Sequence, residues 1–369
     1  MTGIKNILYG WMAALMLGCC ALFVVSCSSD DPEPEQKQEQ GDLLQLVSFT
    51  RSGDDFDQAS INDGSRIRMF ITSNEEEPKQ ATFIWNNPSW SKDGKIKENA
   101  DYYLYGVLSG DDINTNIAKL TPSTDYSSGA TLTVSNLSPL ALEGQDPCVI
   151  VGVKGTLDGN LGESVVERGK FYYKGQSKDH NYVHLLLDRL YSAITFRFGP
   201  LDAEYASLRT IKLTKLQLKV NLSSDSKLNM TVPLTAGSSP VGTITTSTQS
   251  GSSSSECTIT LFEDADGKEF SEIVDGDIQV GCFAPGYASD LSVVSYYDVY
   301  DKGATPYKLS SRTAENALGG ILTYTDPQTN TQLPTLTRGE KLTLTLTVNP
   351  TYLYQLSDPD ATTVTIKSE

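Results

Sequence analysis

Leu342-Thr343-Leu344-Thr345-Leu346-Thr347-Val348 alternates apolar and β-branched polar residues without a break. A strand points successive side chains to opposite faces, so all four apolar residues share one face and the three threonines the other. This is the pattern of a half-buried antiparallel strand; a helix would scatter the same residues around its circumference. Arg338-Gly339-Glu340 turns into the run. Asn349-Pro350 stops it, because proline brings no N–H to a ladder. The stretch predicts a β-protein, and its partners are sought along the rest of the chain.

Working back from it, Leu43–Phe49 is one apolar strand-like run ending at Thr50-Arg51. Arg66–Ile71 follows the Asn62-Asp63-Gly64 turn, and Ala81–Trp85, Tyr102–Leu108 and Thr131–Val134 read as strands. Cys148–Val153 is apolar on both faces and belongs in a sandwich interior. Tyr182–Tyr191 fits a short helix and a strand alike. Ala193–Phe198 is a strand, Asp202–Leu208 a short helix or turn, and Ile211–Val220 another strand. In that last run Ile211, Leu213 and Lys215 fall on one parity and Leu216, Leu218 and Val220 on the other, which predicts a bulge near Lys215. Residues 236–256 are rich in Gly, Ser and Thr and read as a long exposed hairpin or loop. Cys257–Phe262, Ile278–Phe283 and Leu291–Val299 complete the set. Irregularly spaced strands separated by turn chemistry argue for an all-β, antiparallel sandwich rather than a parallel α/β sheet.

The N-terminus is of another kind. Lys5 and no acid stand in residues 1–6, and residues 7–25 are apolar or small, as in a secretory signal. The run ends in Val24-Val25-Ser26-Cys27, which resembles a bacterial lipobox. There the cysteine thiol carries diacylglycerol and becomes the mature N-terminus. Residues 1–26 are thus read as a lipoprotein signal peptide. Residues 27–42 form an acidic tether without enough apolar area to fold. The Ser-Asp-Asp after Cys27 resembles a short signal that sends some Gram-negative lipoproteins to the cell surface.

Removing 26 of 369 residues leaves 369 − 26 = 343, which suits two domains of about 150 residues. The boundary is placed near residue 180, giving domains at 43–180 and 181–369. A net charge of −17 without a basic patch argues against nucleic-acid binding. Of six cysteines, Cys148, Cys257 and Cys282 remain after the signal and Cys27 are set aside. No CxxC spacing recurs in the mature part, so neither a zinc site nor a disulfide framework is indicated, and three buried thiols are expected.

Chemistry is sparse. The only histidines, His180 and His184, are four apart, but Asn181 stands where a zincin needs Glu, so they are read as a packed or surface pair and no metal site is expected. Glu263-Asp264-Ala265-Asp266-Gly267 resembles part of a calcium loop. Its EF-hand register would put Phe262 at position 1 and Ile273 at position 12, where carboxylates are required, so a turn between strands is expected instead. Nucleophile-elbow, phosphate-loop and dinucleotide fingerprints are missing from the sequence, and no catalytic residue or cofactor is assigned.

Residues 179–198 (DHNYVHLLLDRLYSAITFRF) and 205–218 (YASLRTIKLTKLQL) resemble the fimbrillin family, lipoprotein-precursor pilin subunits of type V fimbriae. So do YYLYGVL at 102–108, DPCVIVGV at 146–153, VVSYYDVYD at 293–301 and RGEKLTLTLTVNPTYLYQLSDPD at 338–360. The pieces span most of residues 43–369. The resemblance implies two tandem transthyretin-like β-sandwich domains, surface exposure on the outer membrane, and head-to-tail assembly with other pilin subunits by strand exchange. It also implies a role in adhesion, through a host or bacterial surface receptor, and no enzyme activity. In such pilins a protease cuts after a basic residue near the N-terminus, removing the lipid-bearing segment and the first strand; an extended C-terminal strand from the next subunit then fills the groove. Arg51 is the candidate processing site. The tail at 349–369 is the candidate donor, with Val364 and Ile366 its buried pair. Extended at roughly 3.3 Å per residue it reaches about 70 Å. The donor segment Val364-Thr365-Ile366 is short, which an anchor or tip subunit explains better than a stalk subunit. The rival reading is a monomeric surface lipoprotein that stacks glycans on Trp85, Trp90, Tyr102 and Tyr103.

Overall fold

The computed structural model describes residues 42–51, 62–73, 76–86, 89–90, 95–96, 102–118, 130–156, 170–171, 180–234, 243–273, 279–350 and 362–368, all within the unit Gly41–Glu369. The first strands are β1 (Asp42–Arg51), β2 (Arg66–Ser73), β3 (Glu76–Asn86), β4 (Ser89–Trp90), β5 (Lys95–Ile96), β6 (Tyr102–Ser109), β7 (Asn114–Ala118) and β8 (Ala130–Leu137). Next come β9 (Leu140–Leu142), β10 (Cys148–Thr156), β11 (Lys170–Phe171), β12 (His180–Arg189) and β13 (Ser192–Phe198), then helix α1 (Ala203–Leu208). The rest comprises β14 (Arg209–Ser223), β15 (Lys227–Leu234), β16 (Thr245–Gln249), β17 (Glu256–Glu269), helix α2 (Phe270–Ile273), β18 (Gln279–Phe283), β19 (Leu291–Asp301) and β20 (Lys308–Ala317). Helix α3 (Gly319–Leu322), β21 (Thr323–Thr325), β22 (Gln332–Pro334), β23 (Lys341–Pro350) and β24 (Thr362–Ser368) close the chain. The protein is all-β, as the sequence leads one to expect. The stretch 182–191, open between helix and strand, is strand β12.

The largest sheet runs β4-β3-β2-β6-β10-β12-β1-β5, with β11 on β6. Its neighbours are β16-β15-β8-β7, β24-β23-β13-β18-β9 and β17-β14-β19-β20. The first two of these combine strands from before and after residue 180: β8 pairs with β15, and β9 with β18. Alternation places the cores. Ile67 and Met69 of β2, Leu108 of β6, Cys148 and Ile150 of β10, and Leu185 and Leu187 of β12 form one apolar cluster. Tyr105, Val107 and Val149, of opposite parity, join Leu132 and Val134 of β8 and Leu228, Met230 and Val232 of β15. The run that begins at Cys148 is therefore buried on both sides because its sheet is covered on both sides.

Between β2 and β6 the backbones run close at Gly106. A Cβ there would stand 2.7 Å from Met69 Cα. Gly106→Ala forces the two central strands apart and is expected to cost about 1–3 kcal/mol, read as a lower urea midpoint at unchanged m-value.

The third core lies between β13 and β23 on one side and β14 and β19 on the other. Ile194, Phe196, Phe198, Leu344 and Leu346 face Ile211, Leu213, Leu216, Leu218, Val220, Val293, Tyr297 and Val299. The bulge expected near Lys215 is present. Leu213 pairs with Tyr297 and Lys215 with Tyr296, leaving Thr214 as the extra residue. That one residue restores parity, so the five buried apolar side chains of β14 reach one core. On the other side of β14, Leu213 pairs with Lys268 and Lys215 with Glu263, so four residues, 264–267, bulge opposite Thr214. The expected turn between strands is thus a correction: Glu263–Gly267 is an excursion inside β17. Asp264 Oδ1 accepts from Asp266 N (3.0 Å) and Gly267 N (3.1 Å), and Gly267 takes φ +67°, a left-handed conformation glycine adopts without strain.

Strand β23 also departs from expectation in one respect. Leu344 and Leu346 are buried and the threonines half-buried, as the alternation requires. Its pairing is antiparallel with β24 but parallel with β13, from Ala193↔Lys341 to Phe198↔Leu346. Alternation reports which face is buried and carries no information about neighbour direction; the long crossover from β13 to β23 permits a parallel pair.

Candidate strand-exchange site

Strand β1 lies beside β12 in a parallel ladder from Leu43↔His180 to Arg51↔Leu187, with a register shift between Leu46 and Ser48. On its other side β1 pairs only at Asp42↔Ile96 and Leu43↔Lys95 among the described residues. Most of β1 is thus held by a single neighbour. Arg51 is its last residue, opposite Leu187, whose side chain is buried in the first core. Beyond β12 the ladder continues into β10, from Cys148↔Arg189 to Thr156↔Tyr182. Taking β1 away would leave the β12 edge without its ladder while β10 still held the other side.

The end of β12 is fixed by a polar seam. Arg189 Nη1 donates to both carboxylate oxygens of Asp146, each at 2.6 Å, and both side chains are fully buried. The Cys148 thiol points at Asp146 O, 3.6 Å away. Arg338 Nη1, from the turn entering β23, donates to Asp188 Oδ2 (2.5 Å) and to Arg189 O (3.2 Å). Tyr191 O–H donates to Ser138 O (2.5 Å); burial pushes its phenol well above the ordinary value, with Asp111 and Asp146 adding to the shift, so it stays a neutral donor. Gly339 N donates to Tyr191 O (2.9 Å), Ser192 Oγ to Thr337 O (2.8 Å) and Ala193 N to Glu340 O (2.9 Å). The strand that carries β1 and the strand that carries β24 are clamped together at this seam. Sequence reading passed over it; the usable signal was a charged Asp188-Arg189 inside an apolar run.

At the far end of β23, β24 pairs from Pro350↔Thr362 to Leu344↔Ser368. Val364 stands opposite Val348 and Ile366 opposite Leu346. The tail strand therefore folds back on its own chain as the edge of its sheet. It does not lie in the same sheet as Arg51.

Other candidates fall elsewhere. Cys27 and the tether before Asp42 lie outside the described residues. His180 and His184 are backbone partners of Leu43 and Ser48 along β12, and no group of metal-ligating side chains gathers among the described residues. Trp85 and Trp90 pair across β3 and β4, with ring centroids 5.2 Å apart, but Trp90 is buried and Trp85 packs against the first core. Hydrophobic packing has claimed the two rings that a sugar platform would need. The side chains of Tyr102 and Tyr103 lie outside the description. Cys148, Cys257 and Cys282 are buried thiols that form no disulfide. Burial raises the thiol pKa of Cys257, and that of Cys282 far more, which keeps both protonated.

No family model and no curated protein sequence matches the chain. Among solved structures, it is similar to a fimbrial protein from Bacteroides vulgatus at 13% identity and a TM-score of 0.35, covering 89% of this chain and 98% of that one. It is similar to the fimbrial anchor protein Mfa2 from Porphyromonas gingivalis at 11% identity and a TM-score of 0.30, covering 89% and 97%. A fimbrial protein from Bacteroides ovatus aligns at 10% identity and a TM-score of 0.32, covering 83% of this chain and 48% of that one.

Proposed function

We propose that this chain is a structural subunit of cell-surface fimbriae, exported as a lipoprotein through Cys27, displayed on the outer membrane, and assembled with other pilin subunits by strand exchange in support of adhesion. The observation that carries the reading is the placement of β1: an N-terminal strand held almost wholly by β12, ending at Arg51. Cleavage after Arg51 releases the lipid and frees β1 in one step. A strand from another subunit then takes the vacated β12 edge, main-chain hydrogen bonds supplying the pairing. The donor is β24, an edge strand joined to one neighbour among the described residues. Head-to-tail exchange of this kind does not close on itself and so makes a fibre. The same reading moves the division from residue 180 to the turn between β12 and β13, with β8 and β9 pairing across it, and assigns the chain no catalytic step.

The test is the N-terminus of the mature surface form. Sequencing polymer-associated protein is expected to begin at Ser52, and Arg51→Ala is expected to leave acylated, unpolymerised chain. Acylated Cys27 retained throughout the polymer would sink processing at Arg51.

A further inference from the structure

We infer that the end of the molecule carrying Leu208 and Tyr307 is a contact surface for a second copy of this chain; the inference rests on the strand-exchange reading. Leu208 and Tyr307 are 50% and 60% exposed, two of the large apolar side chains left open to solvent among the described residues, as is Tyr324 at 51%. They belong to different elements, the end of α1 and the turn between β19 and β20. Arg209 joins those elements: its Nη1 donates to Leu208 O (3.0 Å) and to Asp301 Oδ1 (3.0 Å), and Asp301 N donates to Tyr307 O (3.0 Å). Lys302 Nζ adds a bond to Ala206 O at 2.6 Å. Two apolar side chains are thereby presented on a braced polar frame, the anchor-and-rim arrangement of protein interfaces.

The tail decides what covers them. Phe198, the last residue of β13, pairs with Leu346 of β23, and the Phe198 ring lies 5.5 Å from Phe270. Phe270 follows Glu269, the partner of Lys212, three residues from Arg209. β23 runs on to Pro350, opposite the first residue of β24. The chain therefore crosses to its last strand at the same end of the sandwich as Leu208 and Tyr307. If Thr362–Ser368 pairs elsewhere, residues 351–361 tie it to this end by about 40 Å at most, at roughly 3.3–3.6 Å per residue. The groove that accepts the strand must then lie within that reach of this end. Such tethering holds the partner at roughly millimolar effective concentration, where a small apolar contact suffices to order the joint.

The test uses full-length chain on the cells that display it. The double variant Leu208→Glu/Tyr307→Glu alters only exposed positions; melting is expected to match wild type, while the SDS-resistant ladder shifts to short species with about tenfold less high polymer. As an independent readout, a photo-crosslinking benzoylphenylalanine replacing Tyr307 is expected to give adducts of twice the subunit mass. Wild-type ladders unchanged in the double variant, with no self-adduct from position 307, overturn the contact alone. Adducts only with a different protein or a glycan overturn it as well. Wild-type chain that forms neither ladder nor self-adduct overturns the strand-exchange reading together with the contact.

Discussion

Deleting Thr214 is expected to unfold the sandwich built on β14, although the residue is small and half-buried. Thr214 is the extra residue that lets Ile211 and Leu213 share a core with Leu216, Leu218 and Val220. Without it, one half of the strand must slip by a residue, and a slip of one sends every side chain to the opposite face. If the shorter half slips, Ile211 and Leu213 leave the core, at about 1.5–3 kcal/mol each. If the longer half slips, three side chains leave. Either loss is a large part of the roughly 5–15 kcal/mol that holds an ordinary domain folded. The control is Thr214→Ala, which keeps the bulge and removes only the bond from Thr214 Oγ1 to Tyr296 O, at about 1 kcal/mol. Circular dichroism melts of the two variants separate the cases. A deletion variant melting with the alanine variant would show that the bulge does not set the register.

The second large effect is expected at the seam. Asp146→Ala leaves the Arg189 guanidinium buried without its carboxylate, a loss of about 3–5 kcal/mol. The pair itself is a weaker contributor than that figure suggests, because two charges had to leave water to form it. Asp146→Leu/Arg189→Met is therefore expected to recover most of the single variant's loss. Urea midpoints of the three chains test this. A single variant within about 1 kcal/mol of wild type would show that water or another acceptor reaches Arg189.

Most strands were legible because burial leaves a period in the sequence. Leu342–Val348 shows its buried face directly, and the parity break at Lys215 foretells a bulge because the apolar set on both sides of it must meet one core. Neighbour choice leaves no such trace. Nothing local in Ala193–Phe198 marks Leu342–Leu346 as its parallel partner, nor in Thr131–Val134 that it pairs with β15 nearly a hundred residues later. Tyr182–Tyr191 stayed ambiguous because an unbroken Leu185-Leu186-Leu187 satisfies both periods. Of the candidate exchange site, the apolar run that forms β1 was readable, with Arg51 at its end as an expectation, and the seam was not. Asp146 and Arg189 meet only because β10 and β12 are adjacent. The tryptophans of the rival platform are close in sequence because they form a cross-strand pair, with Trp90 buried and Trp85 half-buried.

The parallel ladder between β1 and β12 has a consequence for the order of folding. Leu43 and His180 are 180 − 43 = 137 residues apart, so β1 is synthesised long before its partner. Closing so long a loop costs about 4 kcal/mol in chain entropy by the logarithmic law. After β2, β6, β10 and β12 have assembled, only the 14 residues between Arg51 and Arg66 remain to be closed, and β1 docks cheaply onto a finished edge. A strand that arrives last on a completed sheet is also the one that opens first. Native-state hydrogen exchange is expected to find the β1–β12 ladder opening well below the free energy that protects β6. The β12 edge is thus prepared by the rest of the fold, and the docking of β1 on it is a late, local and separable event.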